Sequence, residues 1–257
     1  MNLIKMEEIV KKIKEKKPLD NLDDDYVLGF IDEFFKKEPK LKKKYENQSL
    51  KKIDVKKIVK NVRNDLNRFY GQFWLSDSIR ESSHRSVRER NLFYEKFYYE
   101  IFFRIGIDFK SILDLGCGLN PLTYNLIPNY KDTYFIAVEL TKKDCDKIVK
   151  IFKKDEIDGE VIKADLRRYN DFPKVDICFM FKLLESLEGE GHKLAEHLIT
   201  NLKASYIIVS FSTLDTKGRR MNYPRRGWFE RMLSRLGLRF DKFEDFNEIF
   251  YIIEKAL

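Results

Sequence analysis

Residues 111–121 combine an acid, two closely spaced glycines and a proline in an order that suits binding of a nucleotide-like ligand. A short apolar run ends at Asp114, the turn Gly116-Cys117-Gly118 follows, and a helix can begin at Pro121. A strand, a glycine turn and a helix start together open a doubly wound α/β domain. Because the third glycine of a pyrophosphate-binding fingerprint is absent, the pattern favours S-adenosylmethionine, which has no pyrophosphate. The predicted cofactor contacts in this segment are Asp114, Gly116, Cys117, Gly118 and Asn120.

Two acidic residues further along occupy positions where such a domain contacts the rest of the cofactor. Glu139 lies 21 residues after Gly118, at the end of the apolar segment 133–139, where an acid accepts hydrogen bonds from ribose hydroxyls. Asp165 ends the segment 160–165 and is placed to accept a hydrogen bond from the adenine amino group. With their neighbours, the second set of predicted cofactor contacts is Glu139, Leu140, Asp165 and Leu166.

Apolar segments that alternate with helical patterns place these residues on one edge of a sheet. The segments after the first are 133–139, 160–165, 175–181 and 206–211, and helical patterns at 141–152 and 190–202 separate them. The alternation predicts a parallel sheet in a Rossmann-like α/β domain that spans residues 106–257. The carboxyl ends of its strands share the edge where ligands bind, and Lys182 stands at the end of the fourth strand.

The first 105 residues are predicted to form an all-α domain with a basic surface. Its candidate helices span residues 2–17, 22–37, 50–69 and 87–105. Residues 36–68 carry 13 basic and 4 acidic residues, a net charge of +9. Lys52, Lys56 and Lys60 recur every fourth residue and share one helical face, opposite the apolar residues of the same helix. We predict that this face binds RNA phosphates, against the alternative that it is only solvated.

Residues 84–90, His-Arg-Ser-Val-Arg-Glu-Arg, open the last of these helices. Ser86 and Glu89 have the spacing of a capping box, in which each side chain bonds the backbone N–H of the other residue. Capping does not account for Arg90, and an arginine near the glycine turn can grip the methionine carboxylate with two hydrogen bonds. We therefore predict Arg90 as a further cofactor contact.

Composition excludes several classes of protein. The sequence has no apolar run long enough to span a bilayer and no signal-peptide core, so we expect a cytoplasmic protein that does not contact membranes. Cys117, Cys145 and Cys178 lack the spacing of metal ligands or of a disulfide framework, and we expect free thiols and no metal. We also expect a monomer.

Taken in order along the chain, these motifs resemble those of the aminoglycoside-resistance 16S ribosomal RNA guanine-N7 methyltransferases. The matching residues are 84–90, 111–122, 179–184, Ser210-Phe211, Met221 and 228–230. The resemblance implies a helical domain that grips the small ribosomal subunit, a Rossmann-like methyltransferase domain, and a guanine target in the decoding region. Glu185 and Ser212 stand where that family usually has proline, on the substrate side, so the exact RNA target stays open.

Methylation at guanine N7 also agrees with the motifs that the sequence lacks, because signatures for exocyclic-amine and pyrimidine C5 methylation are absent. N7 carries an in-plane lone pair and needs no proton removed before it attacks. Catalysis is then mainly orientation and charge placement, and we assign these roles to Lys182 and Trp228. Aromatic residues should sandwich a flipped base, and Tyr223 and Phe229 are further candidates. Packing of Trp228 and Phe229 in the core is an equal alternative to a role as base clamp. The predicted phosphate contacts near this site are Arg219, Arg220, Arg225 and Arg226.

Three functions stay open at this stage. The first is methylation of guanine in 16S ribosomal RNA, by a resistance enzyme or a housekeeping relative, with free ribosomal RNA or the small subunit as partner. The second keeps the fold but moves the substrate to transfer RNA. The third is a catalytically idle RNA-binding assembly factor, and the intact acid and glycine positions at 114–118 and 139 argue against it.

Overall fold

The computed structural model describes residues 5–70, 94–187, 192–214, 219–245 and 247–255. The chain forms two compact units, Met1–Ser83 and His84–Leu257. The second unit begins earlier than the expected boundary between residues 105 and 106, because the aromatic helix that precedes the first strand packs with the sheet. In the described ranges, the helices lack the combination of length and apolarity that crossing a bilayer requires.

The first unit consists of helices whose apolar faces pack together. Its described helices are α1 (Met6–Lys14), α2 (Asp24–Lys37), α3 (Pro39–Glu46) and α4 (Lys52–Phe69), with a 3-10 turn at Leu19–Asn21. Ile13 of α1 and Ile58 of α4 are fully buried. Asp54 ties α3 to α4, because its carboxylate accepts hydrogen bonds from the Lys44 ammonium and the Lys51 N–H, both at 2.9 Å. These two bonds, led by that of Lys44, lower the pKa of Asp54.

A seven-stranded sheet forms the centre of the described part of the second unit. Its strands are β1 (Ser111–Leu115), β2 (Tyr134–Glu139), β3 (Gly159–Lys163), β4 (Lys174–Phe181), β5 (Lys203–Ser212), β6 (Arg239–Asp245) and β7 (Glu248–Glu254). The order across the sheet is β3-β2-β1-β4-β5-β7-β6. The first five strands are parallel, as predicted, and β7 runs antiparallel to both of its neighbours.

Helices cover both faces of this sheet. They are α5 (Tyr94–Ile105), α6 (Lys142–Lys154), α7 (Leu184–Leu187), α8 (Lys193–Asn201) and α9 (Gly227–Arg235). Alternate residues of β4 supply the two cores, since Ile177 and Phe179 pack with α5 and α6, whereas Cys178 and Met180 pack with α8 and α9. Two covered faces leave the carboxyl edge of the parallel strands as the place for a ligand.

Candidate active site

The carboxyl ends of β1 to β4 bring together most of the residues predicted to hold the cofactor. Asp114 lies near the end of β1, Glu139 ends β2, Asp165 follows β3, and Lys182 follows β4. Because β3, β2, β1 and β4 are parallel and adjacent, these residues share one edge of the sheet. One contact joins two of the predicted elements directly, since the Gly118 N–H donates a hydrogen bond to the Glu139 carboxylate at 2.9 Å.

The turn after β1 has a backbone that only glycine adopts without strain. Gly116 and Gly118 both lie in the left-handed region, with φ of +61° and +55°. A Cβ at Gly116 would lie 2.5 Å from Cδ1 of Leu183, in the segment that follows β4. A side chain at position 116 would therefore clash with Leu183 as well as with a ligand. Close packing against Leu183 is thus a reason for glycine here in addition to the backbone conformation.

A buried hydrogen-bond network fixes Asp114 beneath this turn. Oδ2 of Asp114 accepts hydrogen bonds from the Tyr124 hydroxyl at 2.9 Å and from Nδ2 of Asn120 at 3.2 Å. The Tyr94 hydroxyl donates in turn to Oδ1 of Asn120 at 3.4 Å, which connects the network to α5. Burial, followed by the nearby Asp114 carboxylate, raises the pKa of Tyr124 well above its usual value, so this hydroxyl remains a donor.

Cys117, between the two glycines, is buried and faces the core. Its N–H donates to the Val138 carbonyl at 3.2 Å, which joins the turn to β2. Burial raises the pKa of the Cys117 thiol well above its usual value, with Asp114 adding to the effect. A thiol held protonated in this way is not a nucleophile, so Cys117 can contribute to a ligand site only through its backbone and shape.

Glu139 is half-buried, and the backbone on both sides holds its carboxylate. Oε2 accepts from the Gly118 N–H and Oε1 accepts from the Leu140 N–H, both at 2.9 Å. Burial raises the pKa of Glu139, while the two N–H groups act in the opposite direction. Each carboxylate oxygen has two lone pairs, so a carboxylate fixed in this way has the orientation and the capacity to accept further hydrogen bonds from a vicinal diol.

Asp165 has a partner that sequence reasoning missed. Arg167 forms a bidentate pair with its carboxylate, with Nε 3.0 Å from Oδ1 and Nη2 2.8 Å from Oδ2. The Arg167 N–H also donates to Oδ1 at 3.1 Å. The only signal in the sequence is an arginine two residues after the acid. Asp165 lies two residues beyond the end of β3, and Leu166 packs into the core beside it.

Lys182 belongs to a buried ionic cluster at the ends of β4, β5 and β7. Its ammonium lies 3.1 Å from Oε1 of Glu248, and that carboxylate also accepts from the Ser210 hydroxyl at 2.6 Å. The Lys182 N–H donates to the Ser210 carbonyl at 3.0 Å, which holds Lys182 in the left-handed region at φ +52°. Glu248 is 2% exposed and was not foreseen, because it belongs to a strand that the sequence reasoning did not assign.

The three aromatic candidates have different environments. Phe229 is fully buried among core rings, so of the two alternatives for this residue the core role applies and the base clamp does not. Trp228 is partly buried, and one face of its indole stacks on the His192 imidazole with ring centroids 3.7 Å apart. Tyr223 is 88% exposed and stays a candidate, as does Trp228.

Two of the four arginines predicted to bind phosphates have carboxylate partners that change their interpretation. Arg226 is 8% exposed and donates to Glu185 and to backbone carbonyls, so its assignment to RNA phosphates is wrong. Arg225 donates through Nε to the buried Glu230 carboxylate at 2.6 Å, although much of its side chain reaches solvent. Arg219 and Arg220 are exposed, and Arg220 pairs with Glu244 at the surface.

The predicted basic face is present in the first unit. Lys52, Lys56 and Lys60 are exposed along α4, while Val55, Ile58, Val62 and Leu66 on its other side are buried. Arg90, with the capping-box residues Ser86 and Glu89, lies outside the described residues, so its assignment remains a prediction.

Residues 74–252 match the family described as ribosomal RNA methyltransferase (FmrO). The chain belongs to this family. It is 26% identical over 175 residues to the 16S rRNA (guanine(1405)-N(7))-methyltransferase of Frankia casuarinae. That alignment covers 67% of this chain but only 61% of the relative, so the chain spans less than two thirds of the length of that protein.

Two solved structures have the same fold as this member of the FmrO family. The 16S rRNA methylase RmtB superposes with a TM-score of 0.75 at 22% identity, covering 100% of both chains. The 16S rRNA methyltransferase RmtF, solved in complex with S-adenosyl-L-homocysteine, gives a TM-score of 0.74 at 21% identity, covering 97% of this chain and 98% of that chain. At these identities the likeness establishes the fold, which confirms the predicted Rossmann-like methyltransferase class with a helical N-terminal region.

Proposed function

We propose that this FmrO-family protein is an S-adenosylmethionine-dependent methyltransferase that modifies guanine N7 in 16S ribosomal RNA. The observation that carries the proposal is the bond between the Gly118 N–H and the Glu139 carboxylate, at the edge where β1 and β2 end. Family membership supports a ribosomal RNA substrate. The relatives named as guanine-N7 methyltransferases support the choice of atom.

The residues at this edge fit the cofactor part by part. S-adenosylmethionine supplies an activated methyl group on a sulfonium centre. Glu139, held by two N–H groups, would accept both ribose hydroxyls. Asp165 and the neighbouring Leu166 would border the adenine, while the glycine turn above Asp114 lets the backbone approach the methionine portion. Arg90 would pair with the methionine carboxylate.

The chemistry at the guanine requires placement more than proton transfer. N7 presents its lone pair in the plane of the ring, so the protein has to hold that atom in line with the methyl group. Lys182 is held at the carboxyl end of β4 by Glu248 and Ser210, which would place its ammonium as a fixed hydrogen-bond donor beside the incoming nucleotide, with its charge balanced by Glu248. Trp228 would bound the base, and Tyr223 and Arg219 would contact the flanking RNA.

We assign binding of the RNA substrate to the basic face of the first unit. Lys52, Lys56 and Lys60 would contact phosphates of the small ribosomal subunit, which gives affinity without sequence readout. We propose that the protein acts on this substrate in the cytoplasm as a monomer. The division of tasks between two units predicts that cofactor affinity and RNA affinity can be weakened separately.

Labelled cofactor tests the proposal most directly. The protein is incubated with intact small subunits, large subunits, naked 16S RNA and transfer RNA, and the label is then mapped by nuclease digestion and mass spectrometry. We expect a single N7-methylguanine in 16S RNA. Label in transfer RNA would show that the protein is a methyltransferase whose substrate is transfer RNA. Cofactor binding without label in any RNA would favour the assembly-factor alternative.

A further inference from the structure

Arg226 occupies the centre of a polar cluster at the start of α9, although it lies in an arginine-rich segment that suggests a surface role. Its guanidinium donates through Nε to Oε1 of Glu185 at 2.7 Å and through Nη2 to the Ser212 carbonyl at 2.8 Å. A third bond, from Nη1 to the Pro224 carbonyl at 2.5 Å, closes the segment back onto itself. The guanidinium also lies 5.4 Å from the centre of the Phe211 ring.

These contacts connect three parts of the carboxyl edge. Glu185 lies in α7, directly after β4, and Ser212 ends β5. The Arg226 N–H adds a bond to the Tyr251 hydroxyl of β7 at 3.1 Å. The Arg226 side chain, through Glu185 and Ser212, and its backbone N–H, through Tyr251, therefore fix the end of the segment 219–226 to elements that adjoin Lys182.

The segment so fixed carries the exposed groups nearest in sequence to Trp228. Tyr223 is 88% exposed, and Arg219 and Arg220 are also exposed, with Arg220 paired to Glu244, so the backbone of the segment has a large part in where these side chains lie. Among the described residues, backbone contacts at the start of the segment include the Met221 N–H on the Thr213 carbonyl at 2.8 Å and a bridge between Leu214 and Arg220. Arg226 and Pro224 hold its other end.

We infer that Arg226 is a positioning residue for the RNA substrate, acting through Glu185, Ser212 and Pro224 to hold the 219–226 segment against the carboxyl edge. The role toward RNA rests on the proposed function, whereas the anchoring of the segment 219–226 by Arg226 does not. Lysine keeps the charge of arginine but cannot reproduce three donors in a fixed plane. Arg226→Lys should therefore loosen the segment without removing a positive charge.

The first arm of the test measures the segment itself, without RNA. Trypsin cleaves after Arg219, Arg220 and Arg225, and its rate reports local opening. We expect Arg226→Lys to accelerate cleavage in this segment at least about fivefold. Arg235→Lys is the matched control, because Arg235 lies at the end of α9 and pairs with Glu196 at the surface. Equal cleavage rates in Arg226→Lys and the parent would overturn the inference.

The second arm measures methylation of small subunits. We expect Arg226→Lys to raise the KM for the subunit at least about fivefold, by displacing the RNA-facing groups, while the dissociation constant for S-adenosylmethionine is unchanged. A lower kcat with an unchanged KM would contradict a positioning role toward RNA. If Arg226→Lys does not fold, Glu185→Gln replaces it, since that side chain is 41% exposed and keeps an acceptor. If the parent protein is inactive on subunits, the proposed function is refuted. The trypsin experiment still decides whether Arg226 anchors the segment 219–226.

Discussion

At the scale of single residues, the geometry of the site depends on groups that orient the proposed ligand contacts. Asp114 is oriented by Tyr124 and Asn120, Glu139 by two backbone N–H groups, and Lys182 by Glu248. The positions of these residues at one edge of the sheet were predictable, because an acid before Gly-x-Gly and an acid about 20 residues later follow from the chain path of the fold. The supporting residues were not, because hydrogen bonds from distant elements leave no local pattern.

Tyr124→Phe tests the support beneath the glycine turn. The substitution removes a 2.9 Å hydrogen bond to the buried Asp114 carboxylate, so we expect unfolding free energy to fall by about 1 kcal/mol or somewhat more. Affinity for S-adenosylmethionine should fall as well, because the Asp114 side chain loses one of the groups that orient it. Denaturant titration and calorimetry measure the two effects. Tyr134→Phe is the control, since Tyr134 is 40% exposed at the start of β2. Equal losses in both variants would contradict the expected role.

Glu139 predicts a pH dependence of cofactor binding. Burial raises its pKa, and the ribose hydroxyls require the ionised form as acceptor. Affinity is therefore full above the raised pKa and declines as pH falls through it, at a pH higher than the ordinary glutamate value of about 4.3. Glu139→Gln should bind more weakly and lose this dependence. Calorimetric titrations of both proteins across the acidic range check the prediction, and parallel curves would refute it.

At the scale of secondary-structure elements, what the sequence predicts depends on periodicity. The parallel strands β1, β2, β4 and β5 were predictable because the segments are apolar and both of their faces are buried. Strand β3 is a half-exposed edge strand, and it was predictable from its place in the alternation of strands and helices. Strand β6 was not assigned, since it is a half-exposed edge strand with charged residues along it. Strand β7 was missed although its segment is apolar and buried, so the same criterion applied to residues 248–254 would have found it. Helix α3 was not predicted either, because Leu41 is its single buried residue and the helix therefore has no apolar periodicity.

Arg226 shows the same limit within a loop. The segment 219–226 contains four arginines, and nothing local separates the one that is buried from those that reach solvent. The partner that neutralises it, Glu185, is 41 residues away in sequence. Burial of one charge in a basic cluster follows from the topology that brings the ends of β4 and β5 together, and the sequence pattern does not encode it.

The exposed face of α4 makes its own prediction. Changing Lys52, Lys56 and Lys60 together to Glu should weaken binding to small subunits and flatten its salt dependence, because each lost phosphate contact removes about one counterion from the slope. The same charge change at Lys150, Lys153 and Lys154 in the other unit is the matched control. Filter binding over a salt series measures both. A triple variant on α4 with unchanged affinity would show that its lysines are only solvated.

At the scale of the whole molecule, the two units have similar net charges, and the positive charge is concentrated in one segment of the first unit. Residues 1–83 carry 20 basic and 15 acidic side chains, a net of +5, and residues 84–257 carry 30 and 27, a net of +3. The segment 36–68 alone has a net charge of +9, and the field of this segment would steer the protein to RNA. The α4 variant should therefore keep the parent affinity for S-adenosylmethionine.

The product of the reaction provides the most demanding test of the whole assignment. Methyl transfer from a sulfonium to N7 leaves a fixed positive charge on the guanine and weakens its glycosidic bond. Borohydride followed by aniline should then cleave treated 16S RNA at a single position, which methylation at N1, N2 or ribose would not cause. Trp228→Ala should lower the amount of cleavage by loosening the base, and Arg90→Ala should lower it through weaker cofactor placement. RNA that carries label but resists cleavage would support methyltransferase activity and exclude N7 as the methylated atom. Glu185 and Ser212, which depart from the family pattern on the substrate side, would then be the first residues to test for a change of target atom.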